Sequence, residues 1–485
     1  MSSPVIWMAF PLALALILFG LQRYTRWVTL SGVLLTAGMA LLAILLPVEQ
    51  PMQWLNLSFK ISDTLNILGR KFTLSSGDLP FVAFIYFIAS IWFLGSLAAK
   101  TTPSFIPLGL GMVIFLIAAL TVDPFLYAAL LIEIAVLLSI PIMSPPGIKA
   151  GYGIQRYLIF QTLAVPFILF TGWMLTGVEN NPADAVLATR VIIMLGLGFA
   201  FLLAIFPFYT WIPTLVEEAP PYVTGFVFVM LPMIAVMFLL NFLDRYTWLR
   251  SDLRIYDTLR LTGVLMVTTA GIFAAFQQNL CRILGYAVIV ETGLALLSIS
   301  SASVSGLGLF SAQLLTRACG LWLWALALDG LKQRLPALGF KDIHGVLRKF
   351  PFISASILLA LFSLAGLPLL AGFPIRLSLL DLIAQSTQVE GQSSSLSTQF
   401  SFFVQSQTAV VWIALGLLGL FVAGFHSLLI MASPGEEPGW SVGEKPAMLV
   451  PLSLGMLVLF LIGLFPHWFL PGMQAILRGF IHLLS

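Results

Sequence analysis

Four ionisable side chains lie within long apolar stretches of this 485-residue chain: Glu133, Glu291, Arg317 and Arg376. Asp381 follows Arg376 by five residues. A charge in the middle of a lipid bilayer is costly unless it is paired or hydrated, so each such group is a candidate for function. Desolvation drives a lone buried carboxylate toward its neutral form, and a neighbouring cation restores its charge. Two such states suit a proton relay; the alternative is static ion pairs that only fix helix register.

The composition predicts that the chain has lipid as its solvent. Hydrophobic residues make up 60% of it and charged residues only 9%, with a mean hydropathy of +1.04, whereas a soluble domain carries about 25% charged residues. The net charge of +3 without a basic stripe argues against nucleic acid as a partner. Cys281, Cys319 and the four histidines have no metal-ligand spacing, so we expect neither a metal site nor a cofactor.

Fourteen apolar runs are long enough for a membrane helix, which needs about 20 residues. We therefore expect an all-α integral membrane protein with about 14 transmembrane helices, the first of them uncleaved because no basic region precedes it. Alternation in residues 54–78 predicts two short strands in one surface hairpin. Residues 388–399, rich in Ser, Gln and Gly, predict a flexible connection. The runs lie near 4–20, 27–47, 79–99, 103–122, 124–143, 154–177, 188–209, 221–243, 258–277, 280–300, 305–331, 352–388, 408–433 and 447–467.

Two of these helices contain breaking residues. One carries Pro207 and Pro213, and the other carries Pro368, Gly372 and Pro374. A proline in mid-membrane removes a backbone donor, and the freed carbonyls must face protein, water or an ion. Matching interruptions in two halves of a membrane protein indicate inverted repeats around a transport path. The alternative is a pair of packing kinks.

The distribution of Lys and Arg between short loops is only modestly uneven. Under the rule that positive residues prefer the cytoplasmic side, the distribution predicts that both termini lie outside the cytoplasm.

Several motifs resemble those of the antiporter-like membrane subunits of respiratory complex I, membrane-bound hydrogenases and multi-subunit sodium/proton antiporters. Residues 207–213, Pro-Phe-Tyr-Thr-Trp-Ile-Pro, and then Glu218-Ala219-Pro220 resemble that family's Pro-Phe-His-Thr-Trp-Leu-Pro and Glu-Ala-Pro signature. Residues 278–286 resemble its Gln-x-Asp-x-Lys-Arg-x-x-Ala-Tyr run, and residues 342–351 and 366–373 resemble later blocks. The blocks occur in the family's order over most of the chain.

The resemblance implies fourteen helices in two inverted repeats around a hydrated axis. It also implies proton movement along carboxylates and lysines, driven by redox chemistry in sister membrane subunits, with no redox site in this chain. Glu133 lies close to the family's relay glutamate, and Glu218 of the signature joins the relay candidates. The expected location is an energy-transducing membrane, the bacterial inner membrane. The implied divisions are N-terminal helices with the hairpin at 1–102, repeats at 103–243 and 258–433, and C-terminal helices at 434–485.

The chain departs from the family at the relay positions. The resemblance therefore implies proton or cation movement along a sparse relay. A non-conducting structural subunit that keeps the fold as a scaffold is the alternative, and a freestanding secondary transporter is a third possibility. The family's lysines fall on Leu202, Met233 and Cys281, its histidine on Glu291, its His-Ala-x-x-Lys pattern on Arg317-Ala318 with Leu321, its Lys or Glu after the second break on Arg376, and its Asp-Ala-His on Thr214-Leu215-Val216.

Overall fold

The chain folds into a bundle of apolar helices with a small β layer at one end. The computed structural model describes residues 2–54, 57–67, 69–145, 147, 150–180, 185–385, 406–434 and 442–484. The flexible connection predicted at 388–399 lies outside the described residues.

In this described part, nine helices are long and apolar enough to span a bilayer, and five shorter helices are also apolar. They coincide one for one with the fourteen apolar runs of the sequence. The helices are α1 Phe10–Gly20, α2 Thr25–Leu45, α3 Leu79–Ala99, α4 Phe105–Thr121, α5 Ala128–Met143, α6 Tyr152–Asn180, α7 Ala185–Leu202, α8 Trp211–Glu218, α9 Pro221–Arg245, α10 Thr247–Arg250, α11 Leu253–Ala275, α12 Leu280–Ser300, α13 Val304–Lys332, α14 Val346–Lys349, α15 Pro351–Ala365, α16 Gly372–Gln385, α17 Ser406–Ala432, α18 Pro446–Leu464 and α19 Pro466–Ala475.

Helices α9, α12 and α13 form the centre of the bundle. Each has 94% of its most apolar window buried, and the three pack against one another. A helix that is apolar on all sides must be surrounded by protein or lipid, and these three are surrounded by protein. The outer helices α2 and α18 are only 39% and 28% buried. Their exposed side chains, among them Leu34, Ile44 and Val450, form apolar faces of the kind that contact lipid or a partner.

Both predicted helix interruptions are present. The first separates α7 from α8, with a 3-10 turn at Phe208–Thr210, and the second separates α15 from α16. Gly366 ends α15 with a φ of +96°, a conformation that glycine adopts without strain, and its amide donates to the carbonyl of Phe362 at 3.0 Å.

The prolines play different parts in these interruptions. Pro207 and Pro368 lie between the helices, whereas Pro213 and Pro374 each occupy the third position of the helix that follows, and Gly372 begins α16. The first-turn amides of a helix have no intrahelical acceptor, so proline there removes no hydrogen bond. Pro213 and Pro374 therefore help the second helix of each pair to begin rather than break the first.

The β layer corrects the prediction of a single hairpin, because residues 51–73 form two. Strand β1, Pro51–Trp54, pairs with β2, Leu57–Lys60; β3, Thr64–Ile67, pairs with β4, Arg70–Thr73. Gly69, with a φ of +73°, permits a tight turn before β4. Residues 70–73 therefore pair with the strand just before them rather than with the one predicted near residue 57. The strand β5, Val122–Asp123, extends the second hairpin.

The two ends of the chain lie at this same end of the bundle. The Ser3 amide donates to the Ser62 carbonyl beside the hairpins at 2.7 Å. The His482 amide donates to Asp244 Oδ1 at 2.8 Å, and the neighbouring Arg245 forms a 3.2 Å ion pair with Asp123 of β5.

Candidate functional site

Glu291 is the centre of a buried polar cluster at the second helix break. Its side chain, in the middle of α12, is completely buried, and Nη2 of Arg376 on α16 donates to its Oε1. Gln313 of α13 donates from Nε2 to the other carboxylate oxygen at 3.2 Å and to the Glu291 main-chain carbonyl at 2.8 Å. The Glu291 carboxylate therefore links three helices, α12, α13 and α16.

The break itself positions Arg376. Because α15 ends at Ala365, its last carbonyls have no helical donor. Arg376 donates from Nε to the Leu364 carbonyl at 2.8 Å and from Nη1 to the Gly372 carbonyl at 3.0 Å. A Cβ atom on Gly372 would lie only 1.9 Å from the Ser363 carbonyl oxygen, so the close approach of the two segments requires glycine. The interruption and the ion pair therefore form one unit.

Arg317 adds a second buried guanidinium beside this cluster. Its side chain on α13 is 4% exposed, and Nη2 donates to the Phe228 carbonyl at 2.9 Å and to Thr292 Oγ1 at 3.3 Å. Its Nε and the side-chain oxygen of Gln313 are buried without a hydrogen-bond partner in the described part of the chain. Arg317 thus contacts the residue that follows Glu291 and adds a second buried guanidinium to the cluster.

Glu133 belongs to a separate polar site in the first half. It is half-buried on α5, and Thr162 of α6 donates to its Oε1 at 2.6 Å. Its Oε2 is buried without a partner among the described residues. One and a half helical turns away on the same two helices, the side-chain oxygens of Ser139 on α5 and Tyr157 on α6 lie 2.8 Å apart. Among the described residues, Glu133 is hydrogen-bonded to α6 and not to the Glu291 cluster.

Leu202 and Met233 occupy buried apolar positions where the resemblance places lysines. Leu202 is 4% exposed and Met233 is 3% exposed. The carbonyl of Leu202, at the end of α7, accepts a 3.1 Å hydrogen bond from Gln161 Nε2, and the side-chain oxygen of that glutamine is buried without a partner in the part of the chain described. Sequence reasoning missed Gln161 and Thr162. Two adjacent polar residues within the apolar helix α6 require hydrogen-bond partners, and this feature of the sequence could have identified them.

Glu218 and Asp381 lie apart from both sites. Glu218 is exposed at the end of α8 and accepts from the Gly153 amide at 2.7 Å. Asp381 is exposed on α16 and accepts from Gln385 at 2.9 Å. Among the residues described, no group of three or more His, Cys, Asp and Glu side chains could hold a metal ion.

Apolar spans, two interrupted helices and a buried ion pair at one interruption define a polytopic membrane protein with discontinuous helices. Residues 157–401 match the family model described as "NADH:quinone oxidoreductase/Mrp antiporter, TM". The chain belongs to this family. The resemblance seen in the sequence motifs is thereby confirmed.

Relatives with curated names include NADH-quinone oxidoreductase subunit N of Moorella thermoacetica, 29% identical over 297 residues, and that of Laribacter hongkongensis, 24% identical over 347 residues. The first match covers 60% of this chain and 57% of the relative, and the second covers 67% and 66%. The chain thus spans less than two thirds of the length of these relatives.

Solved structures share the fold along almost the whole chain. One is of the Mrp complex from Dietzia, with a TM-score of 0.78 and 14% identity, covering 99% of both chains. Respiratory complex I from Thermus thermophilus gives a TM-score of 0.70 and 19% identity, covering 99% of this chain and 100% of that one. These likenesses confirm the predicted all-α membrane fold of the antiporter-like subunits.

Proposed function

We propose that this chain is an antiporter-like membrane subunit of a complex I-related, redox-driven assembly, and that protons or cations cross the membrane through its second half. The observation that carries the proposal is the buried pair of Glu291 and Arg376 at the second helix break. An ionisable side chain within the bilayer costs free energy that packing does not return. A carboxylate in this position is therefore a functional candidate by default.

Glu291 can take two states in this cluster. In one state Arg376 donates to the carboxylate and compensates its charge; in the other the guanidinium has withdrawn and the carboxyl group is open to proton exchange with water. Arg376 does not itself release a proton, so it acts as an electrostatic gate rather than as a carrier. It also donates to the carbonyls of Leu364 and Gly372, which tie it to the break. A small shift of the first turn of α16 would therefore separate the Arg376 guanidinium from Glu291.

The first half cannot form the same relay from side chains alone. Neither Leu202 nor Met233 holds a proton, so transfer between Glu133 and Glu291 requires water. Glu133, half-buried with one oxygen bonded to Thr162, would then serve as the acid of the first half.

The identities of the relatives and of the similar structures support the partner and location proposals. The solved structures are of multi-subunit complexes, which supports sister membrane subunits as partners that cover the exposed apolar faces. The named relatives are bacterial, which supports the bacterial inner membrane. Both termini are proposed to face away from the cytoplasm, from the modest bias in the Lys and Arg distribution.

A non-conducting scaffold is the second candidate, and the excess of guanidinium groups around Glu291 favours it. Arg376 donates to Glu291 and Arg317 donates to the neighbouring Thr292, so two buried cations lie beside one carboxylate. If the pair never opens, it fixes the register of α12 against α16 and moves no proton.

The deciding experiment is Glu291→Gln in the complete assembly, reconstituted in liposomes. The measured quantity is the number of protons moved per electron pair, with the redox rate recorded in parallel. Glutamine keeps the shape and hydrogen bonding of the site but cannot titrate, so we expect fewer protons per electron pair in an intact assembly. Asp381→Asn, an exposed acid on the helix of Arg376, is the matched control and should leave the ratio unchanged. An unchanged ratio in Glu291→Gln would establish the scaffold instead.

A further inference from the structure

A groove with apolar walls and one polar end opens at the surface of the bundle. Its volume is about 860 Å³, and it is formed by residues 37–46 at the end of α2, residues 79–87 at the start of α3 and residues 472–478 near the C-terminus. Leu41 and Phe87 on its walls are 56% and 50% exposed. A groove of this size is in the range that binds a small ligand.

The polar end of the groove lies at the membrane surface. Gln50, Ser76 and Arg478 lie there, where α2 has ended and α3 begins. The segment between these helices leaves the apolar bundle to form the strands β1 to β4, so this level marks the boundary with water. Arg478 is exposed and has no ion pair with a carboxylate in the described part of the chain. The groove therefore combines an apolar slot with a free cation at its mouth.

The length of the groove distinguishes between two kinds of occupant. Residues 37–46 of α2 rise about 14 Å along the helix axis, at 1.5 Å per residue. The hydrocarbon core of a bilayer is about 30 Å thick. The apolar wall thus extends through one leaflet only, which fits the acyl chain of a lipid, whereas a partner's membrane helix needs a face that crosses both leaflets.

We propose that this groove binds one glycerophospholipid, with an acyl chain between α2 and α3 and an anionic headgroup at Arg478. A guanidinium group donates two parallel hydrogen bonds to a phosphate, which is stronger recognition than an ammonium gives. Anionic lipids are attracted to basic residues at the level of the headgroups. The site is distinct from the Glu291 cluster and does not depend on proton movement through this chain.

The test is native mass spectrometry of the whole assembly after exchange into bilayer nanodiscs of phosphatidylglycerol or phosphatidylcholine. The wild-type assembly should retain phosphatidylglycerol in preference to phosphatidylcholine. Arg478→Gln should weaken retention of phosphatidylglycerol about tenfold, as expected for the loss of a charge-assisted contact, and should abolish the preference. Arg190→Gln removes an exposed cation outside the groove and is the matched control, with retention unchanged.

A second variant tests the slot rather than the headgroup. Ala37 is exposed on the groove wall, and Ala37→Trp should fill the slot and reduce retention of both lipids. Equal retention by the wild type and both groove variants would overturn the proposal. Release of this subunit from the assembly by Ala37→Trp would also overturn it, because the groove would then be a protein interface.

Discussion

The side-chain amide of Gln161 donates a 3.1 Å hydrogen bond to the carbonyl oxygen of Leu202, the last residue of α7. Arg376 does the same for the carbonyl of Leu364 at the second break, at 2.8 Å. In both halves a buried side chain thus meets a carbonyl that the interrupted helix leaves without a donor. The donors differ in charge, since the amide is neutral and the guanidinium also binds a carboxylate. The two halves therefore share the interruption and differ in the charge placed beside it.

We predict that Gln161→Leu destabilises the protein without affecting transport. The variant leaves the Leu202 carbonyl buried without a donor, which costs about 1–3 kcal/mol. Thermal unfolding of the purified assembly should show a lower midpoint for this subunit, with unchanged protons per electron pair. Gln155→Leu is the control, because Gln155 is exposed on the same helix. Equal stability of the two variants would mean that the bond to Leu202 contributes nothing.

Removing the cation at the second break should be more damaging than removing both members of the pair. Arg376→Met leaves Glu291 as a buried, unpaired acid, and breaking a buried ion pair on one side costs about 3–5 kcal/mol. The double variant Arg376→Met with Glu291→Gln should recover part of this stability, because the carboxylate that lost its ion-pair partner is removed while buried Arg317 remains. Chemical unfolding of both variants measures the difference. If the double variant is no more stable than the single one, charge burial is not the cause of the damage.

For Glu133→Gln we expect normal assembly and reduced ion movement. The amide oxygen still accepts from Thr162, so the link between α5 and α6 survives, while the titrating group is lost. Subunit content by gel analysis and proton movement in liposomes are the two measurements. Unchanged proton movement would assign Glu133 the role of a strut between helices.

Leu202→Lys should destabilise the subunit rather than restore a relay. Leu202 is only 4% exposed within the apolar core, and a buried unpaired ammonium is costly there. The side-chain oxygen of Gln161 is one neutral acceptor nearby, too little to replace hydration. Leu202→Met is the volume-matched control and should cost less than about 1.5 kcal/mol. A rise in proton movement in the lysine variant would show instead that a missing relay group was the defect.

The sequence by itself determined the class of protein, the number of spans and the position of both interruptions. These features depend on local composition: about 20 apolar residues cross a bilayer, and Pro and Gly clustered within a few residues favour the end of one helix and the start of the next. It also identified Glu291 and Arg376 as candidate functional charges, because ionisable residues are rare within apolar membrane segments.

Only the tertiary structure decided which of these residues meet. Glu291 and Arg376 are 85 residues apart in the chain, and Asp381, five residues beyond Arg376, faces away. The sequence also does not show how much of each helix is buried within the protein and how much faces lipid. Helices α9 and α18 are equally apolar, yet their spans are 94% and 28% buried. Lipid tails are as apolar as a packed leucine core, so in a membrane the apolar pattern does not reveal which face of a helix points inward.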